Sequence, residues 1–228
     1  MKKTAFMGGY DKSDLILYIA KILTVSGKKI LFLDTTLMQK TRYIVPTMTP
    51  AQKYVTTYDG IDIAIGFDNM QDLKEYFSIE EDLKYDYILA DIDSPDAYVN
   101  FGFNQMDLHY LVTSFDVYSL QKGISVLKAF KVPTQVTKVL FTRDPESEEK
   151  EYIDFVSMSY KVRWNEDVLY FPFETSDLYA IYINQRFSKV RFDNLSTEYM
   201  DCLSFMTEQI SGLSKGDIKK AIRIIERA

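Results

Sequence analysis

Apolar residues fall into two alternating patterns along this chain: short, nearly continuous runs, and longer stretches where they return every three or four positions. The first pattern suits strands buried on both faces of a sheet, the second amphipathic helices. The clearest unit comes first. Residues 2–7 (KKTAFM) predict a strand, Gly8-Gly9-Tyr10 a tight turn, residues 11–25 a helix closed by Gly27, and residues 29–33 a second strand ending on Asp34. Strand, glycine turn, helix and parallel strand make one βαβ unit. Free backbone N–H groups in such a turn, together with the helix N-terminus, form a natural anion site.

Further along, residues 35–52 are polar, carry Pro46 and Pro50, and predict a loop. Residues 54–58 (YVTTY), Asp59-Gly60 and residues 61–65 (IDIAI) fit a hairpin with a two-residue type I′ turn, or equally one buried strand preceded by a turn. Residues 69–81 predict a helix with Met70, Leu73, Tyr76 and Phe77 on one face. Residues 85–92 (YDYILADI) read as a fully buried strand, and Asp93-Ser94-Pro95-Asp96 as a turn. Strands are expected at 108–113, 136–142 and 168–173, and helices at 119–130, 178–187 and 197–210. The acidic stretch 144–151 suits the first turn of a helix reaching Met158, where the helix dipole favours carboxylates. Strands alternating with helices over the whole length predict an α/β fold: a three-layer sandwich with a mainly parallel central sheet, as in P-loop NTPases. Neither linker nor repeat interrupts it, so residues 1–228 are expected to form one domain.

Composition narrows the function classes. The formal net charge of −6 argues against a surface that coats nucleic acid, and the sequence gives no strong nucleic-acid signal. One cysteine, Cys202, excludes an internal disulfide framework and fits a reducing compartment. One histidine, His109, in an apolar strand pattern, reads as a packed residue rather than a catalytic one. Cys202 likewise reads as core, with Tyr199, Phe205 and Met206 one helical turn away. The apolar runs are too short for a membrane span, and the start MKKTAFMGG is too short for a signal peptide, so a cytoplasmic protein is expected. The nine glycines are few for a protein whose loops wrap phosphates.

Phe6-Met7-Gly8-Gly9-Tyr10-Asp11-Lys12-Ser13 resembles the deviant Walker A loop of the ParA/MinD family of ATPases, G-K-G-G-x-G-K-[ST]. Gly8, Gly9, Lys12 and Ser13 match that pattern, whereas Phe6 and Asp11 replace its glycines and Met7 its signature lysine. The rest of the chain keeps the family's order of motifs. Asp34 and Thr36 stand at a D-x-D, Tyr85 to Asp91 resembles the Walker B strand, and Thr142-Arg143 stands at the base-contacting N-[RK]. Phe171-Pro172-Phe173-Glu174 is similar to the closing I-P-[YF]-[DE]. The resemblance implies ATP and Mg²⁺ as ligands. Gly8, Gly9, Lys12, Ser13, Arg143 and Pro172 would hold the nucleotide, and Ser13 and Asp91 the metal. It also implies protein partners and a homodimer.

The departures argue against efficient hydrolysis. Phe6 is bulky where the family's loop turns closely, and Asp11 brings a carboxylate towards the phosphates. Met7 removes a lysine that in the family reaches the partner's phosphates, and Thr36 cannot act as a carboxylate. With three such neighbours, Lys12 and Ser13 read as leftovers, Ser13 at the helix start and Lys12 simply solvated. The expected function is a degenerate ParA/MinD-like protein with weak or absent ATPase activity, acting as a scaffold or positioning component of a secretion, pilus, conjugation or division assembly. The alternative is an active ATP-dependent dimerising switch. Residues 214–228 predict an amphipathic basic helix with Ile218, Ala221, Ile222 and Ile225 on one face. Packing on its own domain or a partner is favoured over docking on a membrane, because that face lacks Trp, Phe and Leu.

Overall fold

In a computed structural model, which describes residues 1–46, 52–142 and 147–227, the chain forms an eight-stranded sheet in the order β3-β4-β2-β5-β1-β6-β7-β8. The strands are β1 (Lys2–Met7), β2 (Ile30–Asp34), β3 (Tyr54–Tyr58), β4 (Ile61–Ile65), β5 (Tyr87–Ile92), β6 (Leu108–Ser114), β7 (Thr134–Phe141) and β8 (Val162–Phe171). All neighbours pair in parallel except β3 with β4. Those two form a hairpin across Asp59 and Gly60, both at positive φ as a type I′ turn requires. Of the two readings of this stretch, the hairpin is the one that forms.

The helices are α1 (Ser13–Val25), α2 (Thr41–Ile44), α3 (Met70–Tyr76), α4 (Pro95–Asn100), α5 (Val117–Leu127), α6 (Ser147–Ser157), α7 (Thr175–Phe187), α8 (Thr197–Ser211) and α9 (Lys215–Glu226). Alternation along the buried strands sends side chains to two cores. Phe6, Phe32 and Leu89 meet α1, α8 and α9 on one face; Ala5, Leu33 and Ala90 meet α3, α4, α5 and α6 on the other. The three layers expected from the sequence are therefore present.

Several boundaries differ for local reasons. The loop after β2 contains α2, whose first residue Thr41 donates from its backbone N–H to Asp34. The predicted turn at Pro95 opens α4, with the Ser94 hydroxyl accepting from Ala97 N–H and proline in the first turn, where its missing N–H costs nothing. Helix α3 stops at Tyr76 because Ser78 turns to positive φ. Strand β8 starts at Val162, six residues before the apolar run that predicted it, because its first half lies half-exposed at the sheet edge. The start of the acidic stretch, residues 144–146, lies outside the described residues, and α6 follows it.

His109 is buried in β6, its Nε2 3.0 Å from the Phe103 carbonyl and 3.3 Å from the Tyr98 hydroxyl, and burial holds its pKa below the ordinary value. Cys202 is half-buried against the α8 core, its thiol 3.2 Å from the Tyr170 carbonyl. Helix α9 lays Ile218, Ala221, Ile222 and Ile225 on its own fold, against α1 and α8. That face is thus already covered. Ile218 is fully buried there, so Ile218→Ala is expected to cost about 2–4 kcal/mol, read as a lower denaturation midpoint.

Candidate functional site

Parallel strands end together, and the C-terminal edge of this sheet holds a cavity of about 300 Å³. The β1–α1 turn forms its floor. Phe6 and Met7 belong to β1 rather than to the turn; the Phe6 ring is fully buried and stacks on Tyr110 at 5.4 Å. The expectation that Phe6 crowds the loop is therefore corrected: the loop begins after it, at Gly8. Both retained glycines have structural work. A Cβ on Gly8, which has φ +135°, would stand 2.1 Å from the Val112 carbonyl oxygen, and one on Gly9 would stand 2.5 Å from Lys122 Cβ. The space their missing side chains leave is filled by β6 and α5.

Lys12 is not solvated, contrary to the sequence reading. It is 2% exposed, with its Nζ 2.6 Å from Asp91 Oδ1 and 2.8 Å from the Gly8 carbonyl oxygen. The loop curls over the end of β5, and the ammonium falls beside the carboxylate that the strand delivers. Ser13 opens α1 and donates its hydroxyl to Asp91 Oδ2 at 3.4 Å. Asp91 Oδ1 accepts no well-directed hydrogen bond and depends on the Lys12 charge. Burial pushes the Asp91 carboxyl up to about 7, with Lys12 pulling the other way and Asp34 adding a smaller upward push.

Asp11 occupies the helix N-terminus. Its Oδ1 accepts from Ser13 N–H at 3.2 Å, which takes one of the free amides that an anion would use. Its Oδ2 is clamped by the Lys40 ammonium, which also reaches Asp14 Oδ2 at 3.0 Å. Gln185 from α7 donates to both oxygens of Asp14. One lysine from the β2–α2 loop thus closes over the start of α1.

Asp34 and Asp91 are register partners on β2 and β5, but Asp34 is fully engaged. Its Oδ1 accepts from Thr36 N–H at 3.0 Å and from the Thr36 hydroxyl at 2.6 Å, while Oδ2 takes the N–H and hydroxyl of Thr41. Its role is to fold the loop that brings Lys40 to the site. Asp93 likewise accepts from Leu37 N–H, and Asp116 caps α5.

The chemistry splits in two. Ser13 and Asp91 are hard oxygen donors of the kind Mg²⁺ takes, and Lys12 is their neighbouring cation. The anion end is occupied by the chain's own Asp11, and the cavity wall carries the carboxylates Asp11, Asp91 and Asp93 against the ammonium groups of Lys12 and Lys40. The residues present therefore do not suit a triphosphate, and no cluster of three or more metal-ligating side chains forms among the described residues.

Gly8, Gly9, Lys12, Ser13 and Asp91 thus line one cavity. Pro172 is half-buried just after β8 and is not part of this cavity's wall, while Arg143 lies outside the described residues. Tyr10, also on the cavity wall, stacks on Phe141 at 4.4 Å, next to Phe173. Sequence reasoning missed Lys40, Asp14 and Gln185. Only the acid in the first turn of α1 gave a signal; Lys40 and Gln185 reach it from 26 and 171 residues away. On the cavity wall Met38 and Tyr118 are exposed, as are Leu37 and Val117 beside them in sequence.

No protein-family model and no curated protein matches this sequence. Solved structures do match the fold. A ParA family ATPase from Chlorobium tepidum TLS superposes with a TM-score of 0.54 at 14% identity, covering 98% of this chain and 99% of that one. The MinC:MinD cell division protein complex of Aquifex aeolicus gives 0.57 at 14% identity, covering 94% and 97%. A plasmid partition protein from Borrelia burgdorferi gives 0.52 at 14% identity, covering 92% and 100%. The chain therefore has the fold of the ParA/MinD-type P-loop ATPases.

Proposed function

We propose that this protein is a degenerate relative of the ParA/MinD ATPases that works as a binding or positioning component, with weak or absent ATP hydrolysis. The observation that carries this reading is the self-occupied phosphate site. Asp11 holds an amide at the start of α1, Lys40 neutralises Asp11, and Lys12 is buried on Asp91. An incoming Mg-nucleotide would have to displace all three contacts. Phosphoryl transfer depends almost wholly on positioning and charge stabilisation, so the loss of free cationic and amide groups falls on the chemistry itself. The exposed apolar residues around the cavity mouth support a protein partner there, as does the partnership named for the Aquifex MinD. The proposed setting is a bacterial assembly of the secretion, pilus, conjugation or division type.

A second reading, an ATP-dependent dimerising switch, is favoured by one observation: Lys12, Ser13 and Asp91 still converge on a single point. Light scattering with and without Mg-ATP separates the two. The scaffold reading expects the same molecular mass in both conditions; a dimer that appears only with Mg-ATP and is lost in Lys12→Ala supports the switch.

A further inference from the structure

A second cavity, of about 460 Å³, opens at the opposite edge of the sheet, where β2, β4 and β5 begin. Its lining is apolar at the base of those strands: Ile30 and Leu83 are buried, and Ile79 is half-buried beside them. The rings of Phe77 and Tyr85 also line it, tilted by 60° with their centroids 6.5 Å apart. The volume is that of a small-molecule site, and so is the pattern, an apolar lining with a few convergent polar groups.

Those polar groups are mostly cationic. Lys28, Lys29 and Lys84 bring three ammonium groups to the wall, and none has an ion-pair partner among the described residues. The wall's one carboxylate, Asp62, is already engaged: its Oδ1 accepts from the Thr57 hydroxyl at 2.7 Å and its Oδ2 from the Tyr85 hydroxyl at 3.0 Å. Burial, with Asp62 beside it, holds the Tyr85 phenol above its ordinary pKa, so it stays a neutral donor. Two nearby acids are also committed and stand outside the wall. Asp82 pairs with Lys74 at 3.5 Å, and Asp86 accepts from the Lys29 N–H at 2.8 Å. The C-termini of α1 and α3 end close by, each worth about half a negative charge, which leaves the wall net positive. On a chain of net charge −6 this is the reverse of the β1–α1 cavity, where carboxylates outnumber ammonium groups.

The backbone around the cavity is closed to an extended peptide. Lys28 N–H donates to the Leu23 carbonyl, Ile79 N–H to Lys74, and Asp86 and Tyr87 N–H both to Lys29. A strand-adding partner needs free main-chain groups, whereas a compact ligand needs only the side chains that converge here.

We propose that this cavity binds a small aromatic anion. Its aryl body lies against Phe77, Tyr85 and Leu83, and its carboxylate or phosphate is held by Lys28, Lys29 and Lys84. The site stands at the other end of the strands from the β1–α1 turn, so it goes beyond the scaffold reading and stands or falls apart from it.

Equilibrium dialysis of the intact chain against 2-naphthoate, 2-naphthyl phosphate and the neutral 2-naphthamide tests this. The expected result is saturable binding of an anion at one site per chain, weakened by salt, with the amide bound about tenfold more weakly. Lys29 and Lys84 are exposed, so Lys29→Glu and Lys84→Glu are expected to stay folded by circular dichroism and to weaken binding about tenfold each. Lys29→Gln and Lys84→Gln, which only remove the charge, are expected to give smaller losses. Lys220→Glu on the exposed side of α9 makes the same change in net charge and is expected to leave binding unchanged. Tighter binding of the phosphate or of the carboxylate supports the proposal either way and identifies the anion. No saturable binding by either anion overturns it, as does equal binding of the amide. A loss in Lys220→Glu equal to that in Lys29→Glu and Lys84→Glu also overturns it, because binding would then follow net charge rather than this wall.

Discussion

Asp11→Gly is expected to strengthen Mg-ATP binding about tenfold. The substitution removes a carboxylate and frees the Ser13 amide that it occupies. At an effective dielectric near 20, two unit charges about 4 Å apart interact by about 4 kcal/mol. The Asp11 side chain is 49% exposed, so solvent screening reduces this to a fraction, on the order of 1.4 kcal/mol, or one decade in Kd. Lys40, released from one of its two carboxylates, adds in the same direction. Isothermal titration of the variant beside the wild type reads the difference. An unchanged affinity would mean that Asp11 is not what weakens the site.

The second large effect is on stability. Lys12→Ala leaves the Asp91 carboxyl buried without its cation, and breaking such a pair from one side costs at most about 3–5 kcal/mol, reached only where the carboxyl is ionised. Above neutral pH, the melting temperature of a chain of this size is expected to fall by several degrees. The loss depends on pH in a definite direction. Folded Asp91 already holds its proton up to about 7, above the ordinary carboxylate range, and without Lys12 it rises further. Between the unfolded and folded values the folded state binds more protons, so its stability falls as pH rises, by about 1.4 kcal/mol per pH unit. Lys12→Ala is thus expected to lose little at pH 5 and most at pH 8, and Lys12→Met with Asp91→Asn to recover much of the loss. Thermal unfolding across that range checks it; a loss independent of pH contradicts the buried pair. For the same reason, nucleotide controls with Lys12→Ala belong where the variant remains folded.

The layers of the fold were legible because each strand announces itself. YDYILADI is apolar on both alternating faces, and β5 is indeed buried from Tyr87 to Ile92. The amphipathic 214–228 segment reads as a helix packed on its own domain or a partner, because its face lacks Trp, Phe and Leu, and α9 lies on α1 and α8. Failures arose where long-range contacts decide the outcome. Lys12 reads as a solvated cation in any local window, and only the delivery of Asp91 by a strand far along the chain buries it. The polar loop 35–46 has no periodicity, yet four hydrogen bonds to Asp34 fold it and carry Lys40 over the cavity. The strand reading of residues 2–7 already places Phe6 in β1, where it lies; only its place in the motif suggests that it crowds the loop. Helix α7 forms where a helix is expected at 178–187 and starts earlier, at Thr175; what the sequence does not reveal is that its aromatics lie outside and its amide inside.

The claim at the centre of this account is that the chain's own charges fill the phosphate site. Calorimetric titration of the purified protein with Mg-ATP tests it most directly. The account predicts no measurable heat of binding at submillimolar ATP in the wild type and recovered binding in Asp11→Gly. Micromolar binding by the wild type, lost in folded Lys12→Ala, would contradict it and make the protein a nucleotide switch.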